Sequence, residues 1–252
     1  KVGSTEQNDF LININVIMQN QHKFTARTRM SDLINEDASL LSSISRFGIS
    51  LGFGDKTVRE ACEANNIDCD TFLSVVNFLS EGNVEINETY NNISIESVIN
   101  YLKNAHTYFL DYKLPSIRTK LLDAVDSTAQ SSSYKVLFMK FFDEYFDEVR
   151  KHMEYEDKTV FPYVLNLLKG ERRGRYKISD FEEQHSDVDS KLAELKNILV
   201  KYYPSNGINY KLNDVLFDLL WCEKDLASHN QVEDFFFVPV IEAIEQKIAA
   251  KL

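Results

Sequence analysis

Beyond Ser94, apolar residues recur every three to four positions through four long stretches, about 94–126, 132–169, 178–202 and 211–250. Segments such as "VLFMKFFDEYFDEV" and "VLFDLLWCEKDLASH" carry an apolar stripe wide enough to face a shared core. Prolines punctuate three of the stretches, which predicts a break at Pro115 and bends at Pro162 and Pro239, where a backbone donor is lost. Ser179 and Glu182 are spaced as a capping box at the start of the third. The connectors "DSTAQSS", "GERRGR" and "PSNGIN" are short, so consecutive helices should run antiparallel. The pattern predicts an up-down four-helix bundle.

The first third reads differently. "SDLINEDASLLSSISRFG" has helical apolar spacing, "GISLGFGDK" interrupts it, and "TVREACEANN" restarts with Thr57 and Glu60 as a capping box. Asp70 is placed to cap "TFLSVVNFL". Residues 1–22 are polar around "FLININVIM", whose β-branched content suits a strand or a docked arm. The polar run 80–93 marks a linker. The expected organisation is all-α: an N-terminal arm (1–22), a small helical domain (23–80) and a four-helix bundle (94–252).

The composition narrows the function classes. With 252 residues and 44% hydrophobic content the chain can bury a sizeable core. Its net charge of −11 argues against nucleic acid or an anionic membrane surface, both of which select for clustered Lys and Arg. No stretch approaches the ~20 apolar residues that span a bilayer. Cys62, Cys69 and Cys222 are odd in number and irregularly spaced, so they specify neither a disulfide framework nor a zinc knuckle. The opening "KVGSTEQNDF" lacks the zones of a signal peptide, and a reducing cytoplasm is the expected location.

The five histidines carry the chemistry. "HMEYEDKTVFP" (152–162) and "HNQVEDFFFVP" (229–239) share one frame: His, three residues, Glu-Asp, four residues, Pro. Residues i and i+4 share a helix face, so His152 with Glu156, and His229 with Glu233, each present an imidazole beside a carboxylate. One such pair is commonly just a helix-surface contact. Two in a common frame, with His106 and His185 placed one on each remaining bundle helix, point instead to a metal centre. Four His and two Glu suit two iron ions, with Glu156 and Glu233 reaching both; manganese and zinc accept the same donors. Glu148, Asp225 and Asp189 stand one turn from a ligand histidine, where a carboxylate could fix the imidazole tautomer. Asp157 and Asp234 should lie beside the site, since a helix turns about 100° per residue. Cys222 reads as an apolar filler and His22 as a surface residue. The three glycines near Lys56 do not make a phosphate loop, because no buried strand precedes them and Asp55 intrudes.

These residues resemble the hemerythrin-like domains, and among them the repair-of-iron-centres proteins. The likeness covers roughly residues 23–252, with "RFGISLGFGDKTVREAC" similar to the signature loop of the small helical domain that precedes the bundle. It implies that His106, His152, Glu156, His185, His229 and Glu233 take the ligand positions of an oxo- and carboxylate-bridged, non-haem di-iron site. It also implies repair of iron–sulfur centres under nitrosative or oxidative stress, through binding of nitric oxide or dioxygen or through iron donation. Candidate partners are a diatomic ligand, damaged iron–sulfur proteins and a second copy of the chain. A non-catalytic sensor or iron store is the alternative. Oxygen-carrying hemerythrins have a further His on one helix, where this chain has Leu110, and an Asp ligand on the last. Gly52 and Phe53 stand where many repair proteins carry adjacent cysteines, so no thiol role transfers to that loop.

Overall fold

Apolar residues at helical spacing become helices wherever the described chain carries them. The computed structural model describes residues 23–82, 92–126, 132–171, 176–182, 188–203 and 207–250. The proposed arm at 1–22, with His22, lies outside the described residues. The N-terminal helices are α1 (Met30–Glu36), α2 (Leu40–Arg46), α3 (Val58–Asn65) and α4 (Cys69–Glu81). Thr57 and Glu60 form the anticipated reciprocal capping box of α3. The cap of α4 is Asp68 rather than Asp70: its carboxylate accepts from the Thr71 amide at 2.8 Å, leaving Asp70 in the first turn, where it still favours the positive helix end. Asp68→Ala should cost about 1 kcal/mol in urea unfolding, the usual loss on deleting such a cap. Gly48 ends the turn after α2 at φ +84°, a left-handed conformation that favours glycine.

The bundle follows. Its first strut is α5 (Ile95–Thr107), a π-helical segment π1 (Tyr108–Lys113) and α6 (Leu114–Asp126). The second is α7 (Ser132–Tyr155), π2 (Glu156–Val160) and α8 (Phe161–Leu168). The third comprises α9 (Ser179–Glu182) and α10 (Val188–Tyr202), and the fourth α11 (Tyr210–Val232), π3 (Glu233–Phe237) and α12 (Val238–Ala249). Helix α6 packs on α7 and α11, and α10 packs on α7 and α11, which closes the four-sided arrangement. No helix of the described residues is long and apolar enough to cross a membrane.

The break expected at Pro115 does not occur, and the three prolines share one backbone device. Each of the three sits one residue beyond a π turn, and the residue before it donates five positions back: Leu114 to Phe109, Phe161 to Glu156, and Val238 to Glu233. In a tight α turn the proline ring would strike the carbonyl four residues earlier. Widening the turn by one residue moves that carbonyl aside and lets the helix continue.

Two apolar clusters fill the interior. One joins Phe24, Leu33, Ile44, Phe72 and Val76 of the N-terminal helices to Leu102, Phe161, Phe181 and Phe237 at one end of the bundle. The other, including Phe109, Phe138, Phe142, Leu195 and Leu219, fills the rest of the bundle. Buried Asn77 holds the entering chain by accepting from the Phe24 amide (2.8 Å) and donating to the Phe24 carbonyl (2.9 Å), which satisfies its amide without water.

Candidate metal centre

The donor residues meet where the two clusters join. Phe161 of the first stacks on His106, with ring centroids 5.6 Å apart, and Phe109 of the second meets His229 edge-on at 6.2 Å. His106 comes from the end of α5, Glu156 opens π2, His229 lies in the last turn of α11 and Glu233 opens π3. The ligand atoms of His106, Glu156, His229 and Glu233 lie within 4.8 Å of one another, and all four side chains are buried. His152 joins them from α7. His185 lies outside the described residues, so its position relative to the cluster is not part of the geometry.

Glu156 is the hub. One carboxylate oxygen is 2.8 Å from His106 Nε2 and the other is 2.8 Å from His152 Nε2, so a single glutamate faces two helices at once. His229 Nε2 stands 3.1 Å from Glu233 Oε1. The imidazole nitrogens of His106 and His229 meet these oxygens at contact distance without hydrogen-bonding geometry among the described residues. Buried nitrogens and carboxylate oxygens gathered this closely suit a shared cation.

The electrostatics agree. Two glutamates with 0% exposed side chains sit in an apolar interior, where a carboxylate is costly unless positive charge is close. Burial and the neighbouring Glu233 both push the Glu156 carboxyl upward, yet contacts with His106 and His152 prevail and hold it below its ordinary range. Burial disfavours the imidazolium of His106, but Asp157 and Glu156 outweigh it and raise the group to about 9. The cluster thus demands positive charge, which protons or a metal ion can supply.

Asp157 is the residue that helical spacing undersold. It lies beside the cluster as anticipated, but its Oδ1 also reaches His106 Nδ1 at 3.1 Å. The π turn explains this: with more residues per turn, neighbouring side chains diverge less, so Glu156 and Asp157 address the two nitrogens of one imidazole. Asp234, its counterpart in the repeated frame, is exposed. The other carboxylates considered for this role are engaged elsewhere: Glu148 binds Lys191, and Asp225 pairs with Arg46 at 2.8 Å. The side chain of Asp189 lies outside the described residues. Arg46 went unnoticed in the sequence, where its one signal is a charge set between Ile44 and Phe47 at the end of an apolar helix.

Comparison with known proteins converges on the same centre. Residues 97–241 match the hemerythrin HHE cation-binding domain. The iron–sulfur cluster repair protein ScdA of Staphylococcus haemolyticus is 18% identical over 186 residues, covering 72% of this chain and 82% of that protein. ScdA of Staphylococcus epidermidis is 24% identical over 141 residues, covering 54% of this chain and 62% of that protein. The match spans more than half of the chain and encloses all four buried donors, so the chain belongs to the hemerythrin HHE cation-binding family and is a distant relative of iron–sulfur cluster repair proteins.

Proposed function

We propose that this chain is a cytoplasmic non-haem di-iron protein serving the repair of iron–sulfur centres under nitrosative or oxidative stress. The observation that carries the reading is the posture of Glu156, whose two oxygens face histidines on two different helices inside a buried, carboxylate-rich cluster. His106, His152, Glu156, His185, His229 and Glu233 hold the metals, with Glu156 and Glu233 reaching both. Iron bound there supplies redox chemistry and coordination of nitric oxide or dioxygen. The chain's own residues set the conditions: Phe109, Phe161 and Phe237 exclude water around the donors. Asp157 Oδ1 stands 3.1 Å from His106 Nδ1, where a carboxylate favours the tautomer that leaves Nε2 facing the cluster.

Metal analysis and an optical spectrum of protein made in iron-replete cells test the reading. About two irons per chain with near-ultraviolet oxo-bridge bands is the expected result. Less than about one metal per chain after anaerobic reconstitution with ferrous iron sinks it; manganese or zinc at full occupancy reassigns the metal and keeps the site. Asp157→Ala should weaken metal binding about 10- to 100-fold, read by competition with a chelator, because the orienting carboxylate is lost while every donor remains.

A sensor or iron store is the second reading, favoured by Gly52 and Phe53 in place of the adjacent cysteines of many repair proteins. Nitric oxide supplied to reduced, iron-loaded protein distinguishes the two. Multiple turnovers support a repair-linked oxidoreductase, and a single stoichiometric uptake supports the sensor.

A further inference from the structure

A cavity of about 310 Å³ opens on the seam between α2 and the bundle, apart from the metal cluster. Leu41, Ser42, Ser45 and Arg46 line it from α2, Tyr108 from π1 and Trp221 from α11. We propose that this cavity binds a small, planar, uncharged aromatic compound bearing carbonyl or hydroxyl oxygens, a quinone-type ring being the simplest case.

Size and position support binding, since the volume falls at the lower end of small-molecule sites and lies between two packed parts of the fold, where such sites concentrate. Tyr108 and Trp221 border the cavity with aromatic surface that a planar ligand can contact. The polar groups suit oxygen atoms. Arg46 is 3% exposed and its guanidinium is committed to Asp225, so the donors open to a ligand are hydroxyl groups. The Ser42 and Ser45 hydroxyls sit along the same wall. Burial, then nearby Asp225, pushes the Tyr108 phenol up to about 12, so it remains a donor at neutral pH. Asn104 fixes the wall by donating to the Arg46 carbonyl at 2.7 Å.

Charge decides the ligand class. Arg46 would attract an anion if it stood alone, but Asp225, 8% exposed, lies 2.8 Å behind it and already balances the guanidinium. An added anion would meet that carboxylate in a poorly hydrated setting, whereas a neutral oxygen takes a hydrogen bond from the Ser42, Ser45 or Tyr108 hydroxyl without the repulsion. Lys224, 5.7 Å from the Trp221 ring, is solvent-exposed and screened. Phe109 separates the cavity from the metal donors, standing 5.0 Å from Arg46 and 6.2 Å from His229. Binding therefore needs no metal, and its failure is distinguishable from failure of the di-iron reading.

Trp221 is the only tryptophan in the chain, so selectively excited tryptophan fluorescence reports on a residue that lines this cavity. The test titrates 2,3-dimethyl-1,4-naphthoquinone, whose blocked ring cannot add thiols, into the metal-free full chain. Saturable quenching with a Kd on the order of 10–100 µM is expected, the range for a ligand of this few heavy atoms. Ser42→Phe fills the cavity from α2 and should raise Kd at least about tenfold, or 1.4 kcal/mol, with an unchanged thermal melt. Ser45→Phe, at an exposed position, repeats the test if the first variant melts early. Strictly linear quenching, or equal affinity in a well-folded blocking variant, overturns the proposal. Equal or tighter binding of the analogue with one methyl replaced by carboxylate overturns the neutral-ligand assignment.

Discussion

Glu233→Gln is expected to cost this protein more stability when metal is bound than when it is absent. In the loaded protein the substitution removes one of the two carboxylates proposed to reach both ions. Iron should fall from about two per chain to about one or fewer, with the weakened position losing at least about a hundredfold in affinity, or 2.7 kcal/mol. In the metal-free protein Glu233 is a fully buried carboxylate whose charge opposes that of Glu156. The isosteric amide removes that repulsion but also takes the charge from the buried contact with His229, so in urea unfolding the metal-free variant should lose less stability than the loaded one. Glu148→Ala serves as the control. Its side chain pairs with Lys191 at half-buried positions, and it should alter neither stoichiometry nor the metal dependence of stability. Equal stability of Glu233→Gln with and without metal would show that the cluster holds no cation.

Arg46→Ala is expected to be the most damaging single change away from the cluster. The guanidinium joins α2 to α11 through Asp225 and lies 5.0 Å from the Phe109 ring centre and 5.7 Å from that of Tyr101. Removing it strands a buried carboxylate and opens space among aromatic rings. The expected loss is about 3–5 kcal/mol, which for a chain of this size lowers Tm by roughly 6–20 °C. The double variant Arg46→Met with Asp225→Leu removes both charges and keeps apolar volume, so it should recover most of that loss. If the double variant is no better than Arg46→Ala, the damage comes from lost packing and not from the stranded charge. The measurement also bears on the metal centre. Asp225 stands one turn before His229, so this ion pair ties the N-terminal helices to a donor-bearing helix.

Much of the centre was legible from spacing alone. His152 with Glu156, and His229 with Glu233, meet as helical periodicity requires, because i,i+4 neighbours share a face whatever else the chain does. His106 could be placed on its helix but not matched to Glu156, since that contact spans 50 positions along the chain and depends on how two struts pack. The break expected at Pro115 does not occur, because a proline forbids a regular α turn without saying what replaces it, and here a π turn lets the helix continue.

The sequence by itself determined the helices, the cap at Thr57, and which residues could offer donors, since these follow from periodicity and from groups no more than a few residues apart. Tertiary structure decided which carboxylates serve the cluster. Asp157 reaches His106 because a widened turn reorients it, while Asp225 turns to Arg46 because α2 delivers a buried cation to it. Such choices are settled by the cost of leaving a charge unpaired in the interior, and the partner that meets that cost lies far along the chain.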